Sequence, residues 1–157
     1  MFDECSQIKR QFERNGDGNM KYVLFNPFSC NGDCENHAKT YIEGISEDHK
    51  LVNMTEIESY QELFAGLSTD DEIVICGGDG TLNEVLTGLR EAHSKMPVGY
   101  IPAGTTNDFA NGLGLPLDPP EAAREIAENL NRGKLLNFDL GRFGAERYFS
   151  YIASFGA

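Results

Sequence analysis

The sequence lacks any long apolar run. Its most apolar stretches, Ile73 to Cys76 and Val98 to Ile101, fall far short of the roughly 20 residues that a membrane-spanning helix requires, so no such helix is expected. The first fourteen residues mix charge with isolated apolar side chains and hold no apolar core followed by a small-residue cleavage site. No signal peptide is read there, and a cytoplasmic location is expected. Positive charge is scarce as well: 13 Lys and Arg stand against 25 Asp and Glu, a formal net charge of −12. A field of that sign repels polyphosphate backbones, and nucleic acid is not an expected partner. Cysteine is sparse, with Cys5, Cys30, Cys34 and Cys76 only, and free thiols are expected in a reducing compartment. Cys30, Cys34 and His37 lie close in sequence, but no second Cys or His pair follows at finger or ribbon spacing, so the cluster reads as chance rather than zinc.

What is present is 157 residues, 40% hydrophobic and 24% charged, enough for one ordinary core. Residues 1–19 end in the turn formers Asn15-Gly16-Asp17-Gly18-Asn19 and read as a polar N-terminal extension. From Met20 a pattern repeats. Short apolar runs at Tyr22–Phe25, Leu51–Met54, Ile73–Cys76 and Val98–Ile101 predict strands. Four-position stripes predict helices: Ala38, Tyr41, Ile42 and Ile45; Tyr60, Leu63, Phe64 and Leu67; Leu82, Val85, Leu86 and Leu89; and Ala123, Ile126, Ala127 and Leu130. Asp118 followed by Pro119 and Pro120 predicts the start of the last helix. Strands alternating with amphipathic helices imply an α/β fold, a parallel sheet with helices on both faces.

The pattern changes after Gly133. Leu135–Leu140 and Arg147–Ile152 read as two strands around a turn at 143–146, opening a different, antiparallel unit. That hairpin carries Phe138, Leu140, Phe143, Tyr148, Phe149, Tyr151 and Ile152, with Phe155 beyond it. Unpaired edges and uncovered aromatics favour self-association across a two-fold homodimer, the alternative being mobility.

The strongest local signal is Cys76-Gly77-Gly78-Asp79-Gly80-Thr81-Leu82-Asn83-Glu84, at the junction of the most apolar strand and the third helix. Strand-end to helix-start junctions are where open α/β sheets bind ligands, and glycines there let backbone N–H groups approach an anion. The pattern is neither a Walker A loop, lacking Gly-Lys-Ser/Thr, nor a dinucleotide fingerprint, having Asn83 in place of the third Gly. A plain tight turn with Thr81 as helix cap is the alternative. A second loop, Pro102-Ala103-Gly104-Thr105-Thr106-Asn107-Asp108-Phe109-Ala110, follows the fourth strand with the same anatomy, and Asn26-Pro27-Phe28-Ser29 follows the first. Loops at adjacent strand ends would face one crevice, in which Asp79 and Asp108 could act together on a hydrated cation, unless Asn107 and Asp108 serve only as helix caps.

In this order and spacing, Asn26-Pro27-x-Ser29, Gly77-Gly78-Asp79-Gly80-Thr81-x-Asn83-Glu84 and Gly104-Thr105-Thr106-Asn107-Asp108-Phe109-Ala110 closely resemble the diacylglycerol kinase catalytic-domain family, which includes bacterial lipid kinases and sphingosine kinases. The resemblance implies a phosphofructokinase-like or NAD kinase-like domain that binds ATP with Mg²⁺, followed by a β-rich domain that completes the lipid site. It implies that Gly77, Gly78, Asp79, Gly80 and Thr81 hold nucleotide phosphates, that Asn26 and Ser29 line the nucleotide cleft, and that Thr105 and Thr106 touch phosphate or nucleotide. Gly104, Asn107 and Glu84 fall in the same nucleotide site, and Asp79 and Asp108 are the Mg²⁺ candidates.

NAD kinases share the Gly-Gly-Asp-Gly-Thr core; Asn83-Glu84 and the Gly104–Ala110 segment favour the lipid-kinase branch. The family usually carries Gly near position 30, where this sequence has Cys30 and reaches Gly only at Gly32. The resemblance divides the chain into the extension (1–19), a nucleotide-binding α/β domain (20–133) and the start of a truncated β-rich lipid-site domain (134–157). It places the general base beyond Ala157 and implies peripheral membrane contact through that second domain. The expected function is transfer of the ATP γ-phosphoryl group to a lipid hydroxyl of the diacylglycerol type. The alternatives are an NAD kinase-like soluble kinase and a non-catalytic nucleotide-binding or self-associating module.

Overall fold

The structure is a computed structural model that describes residues 19–145 and 147–150. The expected extension, Cys5, Glu146, Tyr151, Ile152 and Phe155 lie outside the described residues. Four strands, β1 (Lys21–Phe25), β2 (His49–Asn53), β3 (Glu72–Gly77) and β4 (Val98–Pro102), form one wholly parallel sheet in the order β2-β1-β3-β4. Every residue of β1, and all of β3 except its first, is buried. That is what a continuous apolar run means in a parallel sheet covered on both sides.

The covers are α1 (Cys34–Glu43), α2 (Tyr60–Ala65), α3 (Asp79–Glu91), α4 (Asp108–Leu113) and α5 (Pro119–Asn131). Because side chains alternate along a strand, Tyr22, Leu24, Ile73 and Ile75 pack with Leu63 and Phe64 of α2, Leu82 and Val85 of α3, and Phe109 of α4. Val23, Phe25, Val74 and Cys76 face the other way, onto Ala38 and Tyr41 of α1 and Ala123 and Ala127 of α5. The expected α/β class with helices on both faces is therefore present. Gly44 and Gly66 end α1 and α2 one residue before Ile45 and Leu67, which still pack against the cores from outside the helices. Asp118 caps α5 as expected, accepting the Glu121 N–H at 3.1 Å, with prolines in the first turn.

The predicted strand over 135–140 is corrected. Residues 134–140 run without regular structure, and the antiparallel pair comprises β5 (Gly141–Phe143) and β6 (Arg147–Phe149). The apolar side chains of 135–140 lie along the open side of the first sheet rather than in a ladder, and the Phe138 ring tilts against Phe109 with centroids 5.0 Å apart.

The premise of an uncovered hairpin is corrected too, because β6 docks on α3. Thr87 Oγ1 accepts the Tyr148 N–H at 3.2 Å, Asn83 Oδ1 accepts the Ser150 N–H at 2.9 Å, and the Arg90 guanidinium lies 5.7 Å above the Tyr148 ring. The Tyr148 and Ser150 N–H groups on that edge of β6 are thus met by this chain's own helix. No helix among the described residues is long and apolar enough to cross a membrane.

Candidate functional site

Strand register brings three loops to one end of the sheet. Phe25 pairs with Cys76 and Gly77 with Pro102, so β1, β3 and β4 finish side by side. The chain order reverses between β1 and β3, with β2 on the far side of β1. A crevice opens at such a reversal, outside the carboxyl ends of the strands. Backbone bonds extend the sheet into the loops: the Asn26 N–H donates to Cys76 O at 3.0 Å and the Ala103 N–H to Gly77 O at 2.8 Å.

At the centre stands the N-terminus of the 13-residue α3, whose cap position is Gly78 and which has no side-chain cap. The first helical bond is from the Leu82 N–H to Gly78 O, which leaves the N–H groups of Asp79, Gly80 and Thr81 without an acceptor among the described residues. Exposed N–H groups on a helix N-terminus carry partial positive charge and bind anions.

The glycines divide by what surrounds them. A Cβ on Gly77 would stand 2.7 Å from Thr81 Cγ2, so that residue is glycine for packing. A Cβ on Gly104 would stand 2.6 Å from Gly78 Cα, so the second and third loops touch backbone to backbone. Gly80 has nothing within 4 Å of its Cβ position and no unusual φ, and it is exposed. Neither packing nor backbone strain requires glycine at Gly80, above which the space is open.

Side chains then lock the loops. Asn26 accepts the Phe28 N–H at 3.0 Å and donates from Nδ2 to Thr81 Oγ1 at 2.8 Å, tying the first loop to α3. Asp79 accepts the N–H groups of Asp108, at 2.8 Å on Oδ2, and Phe109, at 3.1 Å on Oδ1. From the first turn of α3 it thereby supplies the capping carboxylate of α4, whose own N-cap residue, Asn107, makes no such bond. Asn107, at φ 50° and ψ 46°, turns its amide onto Gly104, accepting that N–H at 2.8 Å and donating to that carbonyl at 3.1 Å.

The structure thus brings Asn26, Gly77, Gly78, Asp79, Gly80, Thr81, Gly104 and Asn107 together, with Asn107 holding loop shape through its side chain. Thr105, Thr106 and Asp108 are exposed on the third loop and Ser29 is half-buried on the first. Glu84 stands apart, exposed on the second turn of α3. Burial, and secondarily the Glu84 charge, push the Tyr60 hydroxyl up to about 12.

Around position 30, where the family's Gly is replaced, Cys30 and Asn31 both adopt φ 52° and Gly32 φ 90°. Cys30 therefore occupies a left-handed conformation that glycine adopts without cost. Its Sγ lies 3.5 Å from His37 Nε2, whereas Cys34 is buried beside Cys76, whose thiol is pushed up by sharing its hydrogen bond with Cys34 and by burial. Cys30, Cys34 and His37 do not converge on one point.

For a cation, the relevant donors are the remaining lone pairs of Asp79 and the exposed carboxylate of Asp108. Among the described residues no group of three or more His, Cys, Asp or Glu side chains could hold a metal ion. A fully protein-built cage is not what Mg²⁺ uses; one or two carboxylates, waters and substrate phosphates suffice, and Asp79 with Asp108 fits that sparser arrangement.

Sequence pattern missed Asn83 and Thr87 as the anchors of β6 and Asn107 as the clamp on Gly104. Asn83 lay in plain view within the motif, but its partner is 67 residues away and no local period announces it.

The chain is similar to proteins of known family. The chain is 40% identical over 92 residues to the diacylglycerol kinase of Bacillus subtilis strain 168, covering 59% of this chain and 29% of that protein. It is 41% identical over 86 residues to the diacylglycerol kinase of Staphylococcus saprophyticus, covering 55% of this chain and 27% of that protein. A crystal structure of a diacylglycerol kinase from Bacillus anthracis superposes with a TM-score of 0.60 at 25% identity, covering 73% of this chain and 42% of that one. The chain thus spans less than a third of the length of these curated relatives. Residues 21–143 match the sequence profile of the diacylglycerol kinase catalytic domain, and the chain belongs to that family.

Proposed function

We propose that this chain supplies the nucleotide-binding half of an ATP-dependent lipid kinase, which transfers the γ-phosphoryl group of ATP to a lipid hydroxyl of the diacylglycerol type. The observation that carries the reading is the uncapped N-terminus of α3 beneath the open space at Gly80, at the end of the sheet where the chain order reverses. The N–H groups of Asp79, Gly80 and Thr81 are the natural donors to phosphate oxygens, and the Gly78–Gly104 contact sets the width of the cleft.

Phosphoryl transfer is mostly positioning and charge neutralisation. No Lys or Arg belongs to the three loops, so the positive charge these loops offer the nucleotide is that of the helix-terminal N–H groups. When bound, Mg²⁺ would neutralise the phosphate charge there, held by Asp108 and by Asp79 directly or through water. Asn26 and Thr81 fix the first loop as one wall; Ser29, Thr105 and Thr106 present hydroxyls to the nucleotide. The lipid pocket and the base that receives the acceptor proton are proposed for the part of the relatives' length that this chain does not span, as is any peripheral membrane contact. Docking of β6 on α3 removes part of the motive for the homodimer that the sequence suggested, while Phe143 remains exposed.

The test has two arms. Mg·ATP should protect the amides of 77–81 and 104–107 from hydrogen exchange with NAD failing to compete, and the gene product carrying these residues should form phosphatidic acid from diacylglycerol and labelled ATP in mixed micelles. Tight NAD binding with NAD phosphorylation would overturn the lipid-kinase reading. ATP protection elsewhere in the fold would overturn the site.

A further inference from the structure

A second concave site lies away from the nucleotide loops. β4 is the edge of the sheet, and around its open side the structure forms a cavity of about 580 Å³ between α3, α4, α5 and the irregular strap 134–140. None of the loop residues 26–29, 77–81 or 104–107 lines it. Its size is within the range of about 300–1,000 Å³ of sites that bury small ligands.

Two features of its wall go beyond what packing explains. Of the seven large apolar side chains exposed among the described residues, four, Leu113, Leu135, Leu136 and Phe138, line this one cavity. Apolar exposure gathered in one place marks an interaction site, whereas scattered exposure does not. Three of the chain's 13 cationic side chains, Arg90, Lys95 and Lys134, line it as well; Arg90 also lies over the Tyr148 ring, and no ion pair among the described residues holds any of the three. In a chain of net charge −12 that is a local reversal of sign, offset at the rim by one carboxylate, Glu125.

The geometry points to a site for a monomeric anionic amphiphile, a long-chain fatty carboxylate, with its alkyl chain along the β4 edge and strap and its headgroup toward Arg90, Lys95 and Lys134. Charge complementarity selects this occupant over a neutral chain. Leu135, Leu136 and Leu140 of the strap line the same cavity as Val98, Gly99 and Tyr100 of β4, so an occupant would lie between strand and strap. The inference stands independently of the nucleotide reading.

Decanoate, laurate and myristate, each below its micellar concentration, should titrate the chain saturably, with amide shifts centred on Gly99, Phe109 and Phe138. Affinity should rise about fourfold for each added methylene. Dodecyl maltoside, which has the laurate chain length and no charge, should bind more weakly than laurate. Lys95→Glu with Lys134→Glu, both at exposed positions, should weaken laurate roughly fivefold to tenfold, as the loss of two surface charge contacts allows, and leave the maltoside unchanged. Leu136→Glu, at a residue 65% exposed and so harmless to the core, should abolish laurate binding while the thermal transition stays in place. Affinity independent of chain length, equal binding of the neutral amphiphile, or shifts at the same amides produced by raising protein concentration alone would overturn the proposal, the last by showing a second copy in the groove.

Discussion

Gly78 and Gly104 pass so closely that a Cβ on Gly104 would stand 2.6 Å from the Gly78 Cα, while one on Gly78 would stand 3.2 Å from the Gly104 Cα. Two loops from different strands therefore share one wall, and neither can move without the other. Gly104→Ala should destabilise the fold by about 1–3 kcal/mol, the usual scale for forcing extra volume into a tight contact. A denaturant midpoint unchanged by Gly104→Ala would mean that the loops are not in contact.

Asp79 and Asp108 differ in role although both were candidates for the cation. Asp79 accepts two backbone N–H groups and caps α4, whereas Asp108 has its side chain exposed. Asp79→Asn should cost about 2 kcal/mol, since two charge-assisted bonds are lost or weakened, and Asp108→Asn should leave stability within about 0.5 kcal/mol. Both substitutions should reduce the Mg²⁺ dependence of nucleotide binding. Equal and small stability effects from the two variants would remove Asp79 from the capping role.

Cys30 sits at φ 52°, a left-handed conformation in which a side chain costs about 1–2 kcal/mol. Cys30→Gly should therefore raise stability by about 1 kcal/mol, less whatever the Cys30–His37 contact contributes. A fall in melting temperature would show that this contact outweighs the backbone strain.

The β6 strand hangs on α3 through Asn83 and Thr87. Replacing both, Asn83→Ala with Thr87→Val, should remove hydrogen-exchange protection from the amides of Tyr148 and Ser150 and raise self-association in light scattering, because the freed edge seeks a partner. Unchanged protection would mean that the strand is held by other contacts.

Burial without a hydrogen-bond partner pushes the Tyr41 hydroxyl up, with smaller contributions from Glu72 and Glu47. The raised folded-state value favours the neutral form, so this stability is fully present below the ordinary tyrosine range and is lost as pH climbs through and above it. The denaturant midpoint should drop as pH rises beyond about 10. Tyr41→Phe should flatten that decline and, at neutral pH, be neutral or slightly stabilising.

Sheet and helices were legible because periodicity survives in the residues that build them. The all-apolar run Ile73–Cys76 could only be a central strand, and Asp118 with two prolines could only begin a helix. The second and third loops were legible through their glycines, and all three through their place at strand ends. What escaped is what depends on distant partners. The alternation of Leu135, Leu136, Phe138 and Leu140 looked like a strand, but those side chains meet α4 and the β4 edge instead of a ladder. The capping role of Asp79 went unread because a carboxylate's bond to the start of a helix 29 residues later leaves no local trace.

The central claim is that the open N-terminus of α3 receives the nucleotide phosphates, and Gly80 tests it most directly. Gly78 is the poorer probe, since a side chain there also presses on Gly104. Gly80 faces open space, so Gly80→Val should leave the circular dichroism melt close to that of the parent, while calorimetric titration with Mg·ATP should show affinity reduced by at least about tenfold. An intact fold with unchanged Mg·ATP affinity would contradict the account and place the nucleotide elsewhere.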